Sequence, residues 1–230
     1  LLIIADEIYS AITLNREHTL PLAEIIGERP AISMKGISKE LPWPGARCGW
    51  MEFYNRDRDI EFDRFCHALE DAKMVEVCST TLPQKAIPKI MGNPKYDTYL
   101  ESRNEAISAR SRKLDELMTG IPYIRYIETK GAFYNTILLK DEALRPGQHL
   151  TTHDTTINYL LKEWITPGLA HDRRFAYYLL ATYGICVVPL SSFQSNQMGI
   201  RVTLLEENMN VFESTFSALR EAIIAYCESN

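Results

Sequence analysis

Three apolar runs in the first quarter of the chain, LLIIAD at 1–6, AISMKG at 31–36 and CGWMEFY at 48–54, constrain the fold more than any other feature. A strand with one wet face alternates apolar and polar residues, whereas a continuous apolar run marks a strand covered on both faces, as in a parallel sheet between helices. The segment PLAEIIGERP between the first two runs supplies a helical turn or two, ended by Gly27 and Pro30. Three strands are few for a sheet of this kind, because both faces need cover and the buried apolar area is small. The expectation is therefore an incomplete parallel-sheet large domain, with Leu1 lying inside the sheet of a longer natural protein.

The pattern becomes helical from Asp59 to about Gly92, with Ile60, Phe62, Phe65 and Leu69, a break at CSTTLPQ and a second helix through KAIPKIMG. Residues 94–120 form the longest helical pattern: Pro94 and Asp97 start it, Leu100, Ile107, Leu114 and Leu117 line one face, and Gly120 stops it. Beyond it, YIRYIETKGAFYNTILL predicts two strands broken at TKG, and helices are expected at 151–164 and 172–183. ICVVPL and GIRVTLL read as strands. A closing amphipathic helix over 207–229 keeps Phe212, Phe216, Leu219, Ile223 and Tyr226 on one side. The second half is thus α+β. The expected division is 1–96 for the end of the large domain, 97–120 for a linking helix and 121–230 for a small α+β domain.

Composition narrows the partners. A chain of 230 residues, 46% hydrophobic and 24% charged, has the make-up of a globular protein. Its 25 basic and 30 acidic residues give a formal charge of -5, and no Lys/Arg run has the length that nucleic-acid or anionic-membrane binding uses. Small-molecule partners are expected. Cys48, Cys66, Cys78, Cys186 and Cys227 are scattered and form no C-x-x-C pair, so the pattern suits the reducing cytoplasm better than a disulfide framework or a zinc ribbon. No apolar run approaches the roughly 18 residues of a membrane span, and the opening pentad lacks the basic flank of a signal peptide.

The chemistry-bearing residues gather at strand ends. Asp6 and Tyr9 stand at and just beyond the end of the first run, where open α/β sheets place ligand-binding groups. Lys39 follows the second run, and Arg47 leads into the third. One crevice is thereby offered a carboxylate, a phenol, an amine and a guanidinium. Lys35 is the rival amine, but it falls inside the strand; Glu7 is the rival acid, but alternation turns it away from Asp6.

ADEIYS, SKELPWPGARCGW and the late GIRVTLLE together resemble the class I/II aminotransferases of the fold-type I superfamily, which includes aspartate, alanine and tyrosine aminotransferases. The resemblance runs from Leu1 to the last helix and is closest to alanine- and aspartate-aminotransferase-like members. It implies pyridoxal 5'-phosphate as cofactor, with Lys39 as the Schiff-base lysine and the acid–base catalyst of the proton shift. Asp6 would keep the pyridine nitrogen protonated, Tyr9 would hydrogen-bond the ring 3-oxygen, Arg47 would bind the phosphate, and Arg201 would bind the substrate α-carboxylate. The implied reaction moves an amino group between an amino acid and a 2-oxo acid, in a homodimer. A lyase or synthase of the same fold would keep the same four cofactor residues, and a ligand-sensing domain of a regulator remains a further alternative.

The sequence also departs from the family. Gly36 stands where many relatives have a phosphate-binding serine, with Ser38 beside the lysine. The glycine-rich loop, the ring-stacking aromatic and the asparagine that the family's N-terminal half supplies do not precede Leu1, so the isolated fragment is expected to be inactive. An arginine for a second substrate carboxylate is not evident near Val75, and Lys73 is the nearest cation. His149 and His153, four apart, lack the glutamate of H-E-x-x-H and read as a polar loop leading into a helix capped by Thr151 or Thr152. Cys48 reads as a small buried residue of the third strand, and SSFQS at 191–195 as a turn that shapes the substrate mouth near Arg201.

Overall fold

The computed structural model describes residues 1–15 and 19–229. The chain divides into two compact units: the first holds residues 1–105 with Lys130–Ala132, and the second holds Ala106–Thr129 with the chain from Phe133 onward.

In the first unit, β1 (Ile3–Asp6), β2 (Ala31–Gly36) and β3 (Gly49–Tyr54) form a sheet in that order. β1 and β2 run parallel, from Ile3 opposite Ala31 to Asp6 opposite Met34. β3 is antiparallel to β2, with Gly36 opposite Gly49 and Ala31 opposite Tyr54, which corrects the expectation of an all-parallel set. The connection explains the reversal. Between β2 and β3 lie only the single turn α2 (Ile37–Glu40) and a 3-10 turn at Pro44–Ala46, closed by Trp43 N–H donating to Ile37 O at 3.2 Å. No helix there is long enough to carry the chain back along the strand, as a parallel crossover requires.

Adjacent residues of β2 face opposite sides, and each side has its own cover. Ala31 packs with Leu22 and Ile26, from α1 (Leu22–Ile25) and its end, while Ile32 packs with Phe62 and Cys66 of α3 (Ile60–Met74). Other positions of the three strands are open in this chain: Ile4, Met34 and Met51 are 55%, 37% and 45% exposed. Asp59 caps α3 by accepting from Glu61 N and Phe62 N at 2.9 and 3.0 Å. α4 (Thr81–Met91) follows, and then α5 (Tyr96–Met118), in which the boundary between the units falls.

The TKG break has a specific role. Lys130–Ala132 belong to the first unit, where Leu14 N–H donates to Lys130 O and Ala132 N–H donates to Ile12 O, both at 2.9 Å. The strands on either side belong to the second unit, whose sheet orders β4 (Ile124–Ile127), β5 (Tyr134–Leu139), β7 (Gly199–Thr203) and β6 (Val188–Pro189), antiparallel throughout. The helices here are α6 (Thr155–Trp164), α7 (His171–Tyr183) and α8 (Met209–Glu228). Phe175 and Leu179 of α7 and Phe212, Leu219, Ile223 and Tyr226 of α8 are buried, with the Phe175 and Tyr226 rings 5.0 Å apart. The cap of α6 is Asp154, which accepts from Thr156 N and Ile157 N at 2.8 and 3.0 Å, and not Thr151 or Thr152. A carboxylate one residue before the first turn meets the two free N–H groups directly, so the threonines upstream lie outside the helix.

Candidate active site

The end of β1 is a branching point of side chains. Asp6 is exposed and accepts from Ile8 N–H at 3.1 Å, which begins the turn that carries Tyr9; Ile12 N–H donates to Tyr9 O at 2.9 Å and closes it. Glu7 points the other way. Its carboxylate accepts from Leu22 N–H at 2.8 Å and from the Ser33 hydroxyl, and lies 3.9 Å from Lys35 Nζ. Of the two neighbouring acids, Glu7 is held in the fabric of the sheet, and Asp6 is at the surface of the strand end.

The two candidate lysines separate in the same way. Lys35 Nζ is 2.9 Å from Glu52, which also accepts from Trp50 Nε1 and the Tyr54 hydroxyl. Burial alone would raise the Glu52 carboxyl, but hydrogen bonds from Tyr54, Lys35 and Trp50 outweigh it and hold it below the usual range. The same hydrogen bond to Glu52, with some burial, pushes the Tyr54 phenol up to about 12. Lys39, on α2, instead places its ammonium 5.7 Å from the centroid of the Tyr9 ring. An amine and a phenol ring thus meet beyond the C-terminal ends of two neighbouring parallel strands, where ligand sites of open α/β sheets lie.

Nothing in the sequence signals the group that ties these segments together. Arg103 of α5 donates from Nη2 to Ala11 O at 2.7 Å and from Nη1 to Glu40 O, and Asn104 Nδ2 donates to the same Ala11 O at 3.0 Å. One guanidinium therefore spans the turn after Tyr9 and the helix residue after Lys39. Burial lowers the Arg103 pKa and raises that of Glu40, the latter partly offset by Arg103 and Lys35.

Arg47 has left-handed backbone, with φ 49°, and donates from Nη1 to Pro44 O at 3.0 Å. Its side chain is exposed and lines a recess of about 820 Å³ with Lys35, Trp50, Ser79 and Thr80 among others. Gly36 explains the missing serine: a Cβ there would lie 3.1 Å from Cys48 O and from Ile8 Cδ1. At Gly49, directly opposite, it would lie 2.8 Å from Lys35 O. This close approach leaves the end of β2 little room for a side chain. Cys48 itself is half-buried and just precedes β3.

Arg201 belongs to the second unit. Its Cζ lies 4.3 Å from the Tyr134 ring centroid and 4.4 Å from that of Phe193, within range of a cation over a ring face. Phe193 ends the 3-10 turn Leu190–Phe193. Asp172, fully buried in α7, accepts from Ser191 N–H at 2.8 Å and from Gly199 N–H at 3.4 Å, so it joins that turn to the first residue of β7. His149 and His153 precede α6 rather than sharing a helix face, and the described residues include no group of three His, Cys, Asp or Glu side chains that could hold a metal ion. Among the described residues no helix is long and apolar enough to cross a membrane.

This architecture is that of the fold-type I aminotransferases. An aminotransferase from Escherichia coli superposes with a TM-score of 0.78 at 18% identity, over 99% of this chain and 50% of that one. An alanine aminotransferase from Pyrococcus furiosus gives 0.75 at 21% identity, over 97% and 49%. Residues 1–212 match the family described as aminotransferase class I and II, and the chain belongs to that family. An uncharacterized aminotransferase of Methanocaldococcus jannaschii is 44% identical over 223 residues, covering 97% of this chain and 51% of the relative. A tyrosine aminotransferase of Caenorhabditis elegans is 33% identical over 134 residues, covering 58% of this chain and 28% of the relative. The chain spans about half the length of the first relative and less of the second.

Proposed function

We propose that this chain carries the catalytic lysine of a pyridoxal-phosphate-dependent aminotransferase that moves an amino group between an amino acid and a 2-oxo acid. The observation that carries this reading is the placement of Lys39 against Tyr9 at the end of the parallel pair, while Lys35 is engaged by Glu52. Family membership supports it.

The donor set fits a phosphorylated pyridine aldehyde: an amine, a phenol beside it, an exposed carboxylate on the same strand end and a guanidinium in the loop after α2. Lys39 would hold the cofactor through its amine, Asp6 would pair with the protonated ring nitrogen, Tyr9 would donate to the ring oxygen, and Arg47 would neutralise the phosphate. Bound there, the cofactor supplies an electron sink for the charge that develops at the substrate's α-carbon. Lys39 Nζ takes the α-proton as a base and returns a proton as an acid. Arg201 binds the α-carboxylate. In this reading residues 1–96 complete a cofactor-binding domain, 97–120 link it to a small domain over 121–230, and the full-length protein is a cytoplasmic homodimer.

Product analysis tests the reaction. The full-length protein, loaded with pyridoxal phosphate and given a panel of amino acids with 2-oxoglutarate or pyruvate, should form glutamate or alanine in equal amount to the new 2-oxo acid. Cleavage or condensation products without that equality would instead indicate a lyase or synthase.

A further inference from the structure

The guanidinium of Arg201 is held by rings rather than by acids. Among the described residues no carboxylate or carbonyl accepts a hydrogen bond from it, and its Cζ lies 4.3 and 4.4 Å from the Tyr134 and Phe193 ring centroids. A guanidinium over a ring face keeps its donors in its own plane, pointing past the ring edge. Two rings this close to Cζ restrict where the side chain can swing, and an anion is met through the N–H edge. Tyr134 and Arg201 sit on adjacent strands, and Phe193 comes from the turn that Asp172 fastens to β7. The pieces of the clamp are therefore set by the fold and need no ligand to assemble them.

We infer that Tyr134 and Phe193 are positioning residues that orient Arg201 for in-plane, two-pronged capture of the substrate's α-carboxylate. This rests on the reading of Arg201 as the carboxylate-binding residue and adds what makes it competent. A carboxylate matches the planar fork with two parallel hydrogen bonds. An arginine free to swing would lose rotamer freedom on each binding event, and the rings remove that cost in advance. The effect belongs to binding in the ground and transition states alike, so it should appear in KM and leave kcat nearly unchanged. Phe193 is 47% exposed, so its replacement removes a ring without opening the core.

The test uses the full-length, cofactor-loaded protein, its best amino donor from the panel, and propionate as an unreactive carboxylate probe, with propionamide as the uncharged control. Arg201→Gln should weaken propionate inhibition by about 10- to 100-fold. Phe193→Leu and Tyr134→Leu should each raise KM and weaken propionate about 3- to 10-fold, with kcat within about 2-fold of the parent. Phe193→Tyr and Tyr134→Phe, which keep the ring, should restore both values, and calorimetric titration with propionate should give the same order. If Arg201→Gln weakens propionate while neither leucine variant does, the positioning role is wrong and the carboxylate role of Arg201 stands. If Arg201→Gln leaves propionate binding intact, the reading of Arg201 fails and the clamp with it. A fall in kcat at constant KM in the leucine variants also overturns the inference.

Discussion

At the scale of single residues, the acids and amines at the end of β1 and β2 sort by what holds them. Glu7 accepts from Ser33 and lies 3.9 Å from Lys35, which pairs with Glu52, itself bonded by Tyr54 and Trp50, whereas Asp6 accepts from Ile8 N–H and Lys39 lies against the Tyr9 ring. In the sequence, strand position, alternation and spacing favoured Asp6 and Lys39; in the structure Lys35 lies 2.9 Å from a carboxylate and is held as a structural cation, which is why Lys39 is the lysine proposed above. The network also makes a prediction about pH. The Tyr54 phenol titrates at about 12 when folded, above its ordinary 10.0, because its proton is shared with Glu52. Its contribution to stability is therefore complete below about pH 10 and is lost as pH rises toward 12. Urea unfolding from pH 8 to pH 12 should show the parent more stable than Tyr54→Phe at the lower end, with the difference shrinking above about pH 10. A constant difference across that range would mean that the Tyr54–Glu52 hydrogen bond does not hold the proton.

At the scale of elements, strand and helix positions were legible because apolar runs and periodic faces are local signals. Direction was not. The apolar run at 48–54 is as compatible with an antiparallel return as with a parallel strand, and only the short turns between Gly36 and Gly49 decide it. The Asp154 cap was missed for a related reason: Thr151 and Thr152 stand just upstream, and only the backbone shows which residue meets the free N–H groups. Arg103 could not have been read at all, because its partners are 92 and 63 residues away and are backbone carbonyls, which leave no mark in the sequence. Its predicted effect is measurable. Arg103→Ala should destabilise the protein by about 1–3 kcal/mol, since it leaves the Ala11 and Glu40 carbonyls without this donor in a partly buried site. Arg103→Lys should recover only part of that loss, because a single ammonium lacks the planar fork that spans both. Full recovery by lysine would show that charge, not geometry, is what this position requires.

At the scale of the whole molecule, family and fold were the most legible features, since the spacing of Asp6 to Tyr9 in ADEIYS and of Lys39 to Arg47 in SKELPWPGARCGW brings one end of a sheet together with its following loop. What the spacings cannot encode is how each group is oriented, which here depends on Arg103 for the Lys39 and Tyr9 segments and on Tyr134, Phe193 and Asp172 for Arg201. Lys39 is the amine proposed to hold the cofactor. Full-length protein incubated with pyridoxal phosphate, reduced with borohydride and digested should yield one phosphopyridoxyl peptide modified at Lys39, and Lys39→Ala should yield none. Modification at Lys35, or at any other lysine in place of Lys39, would contradict it.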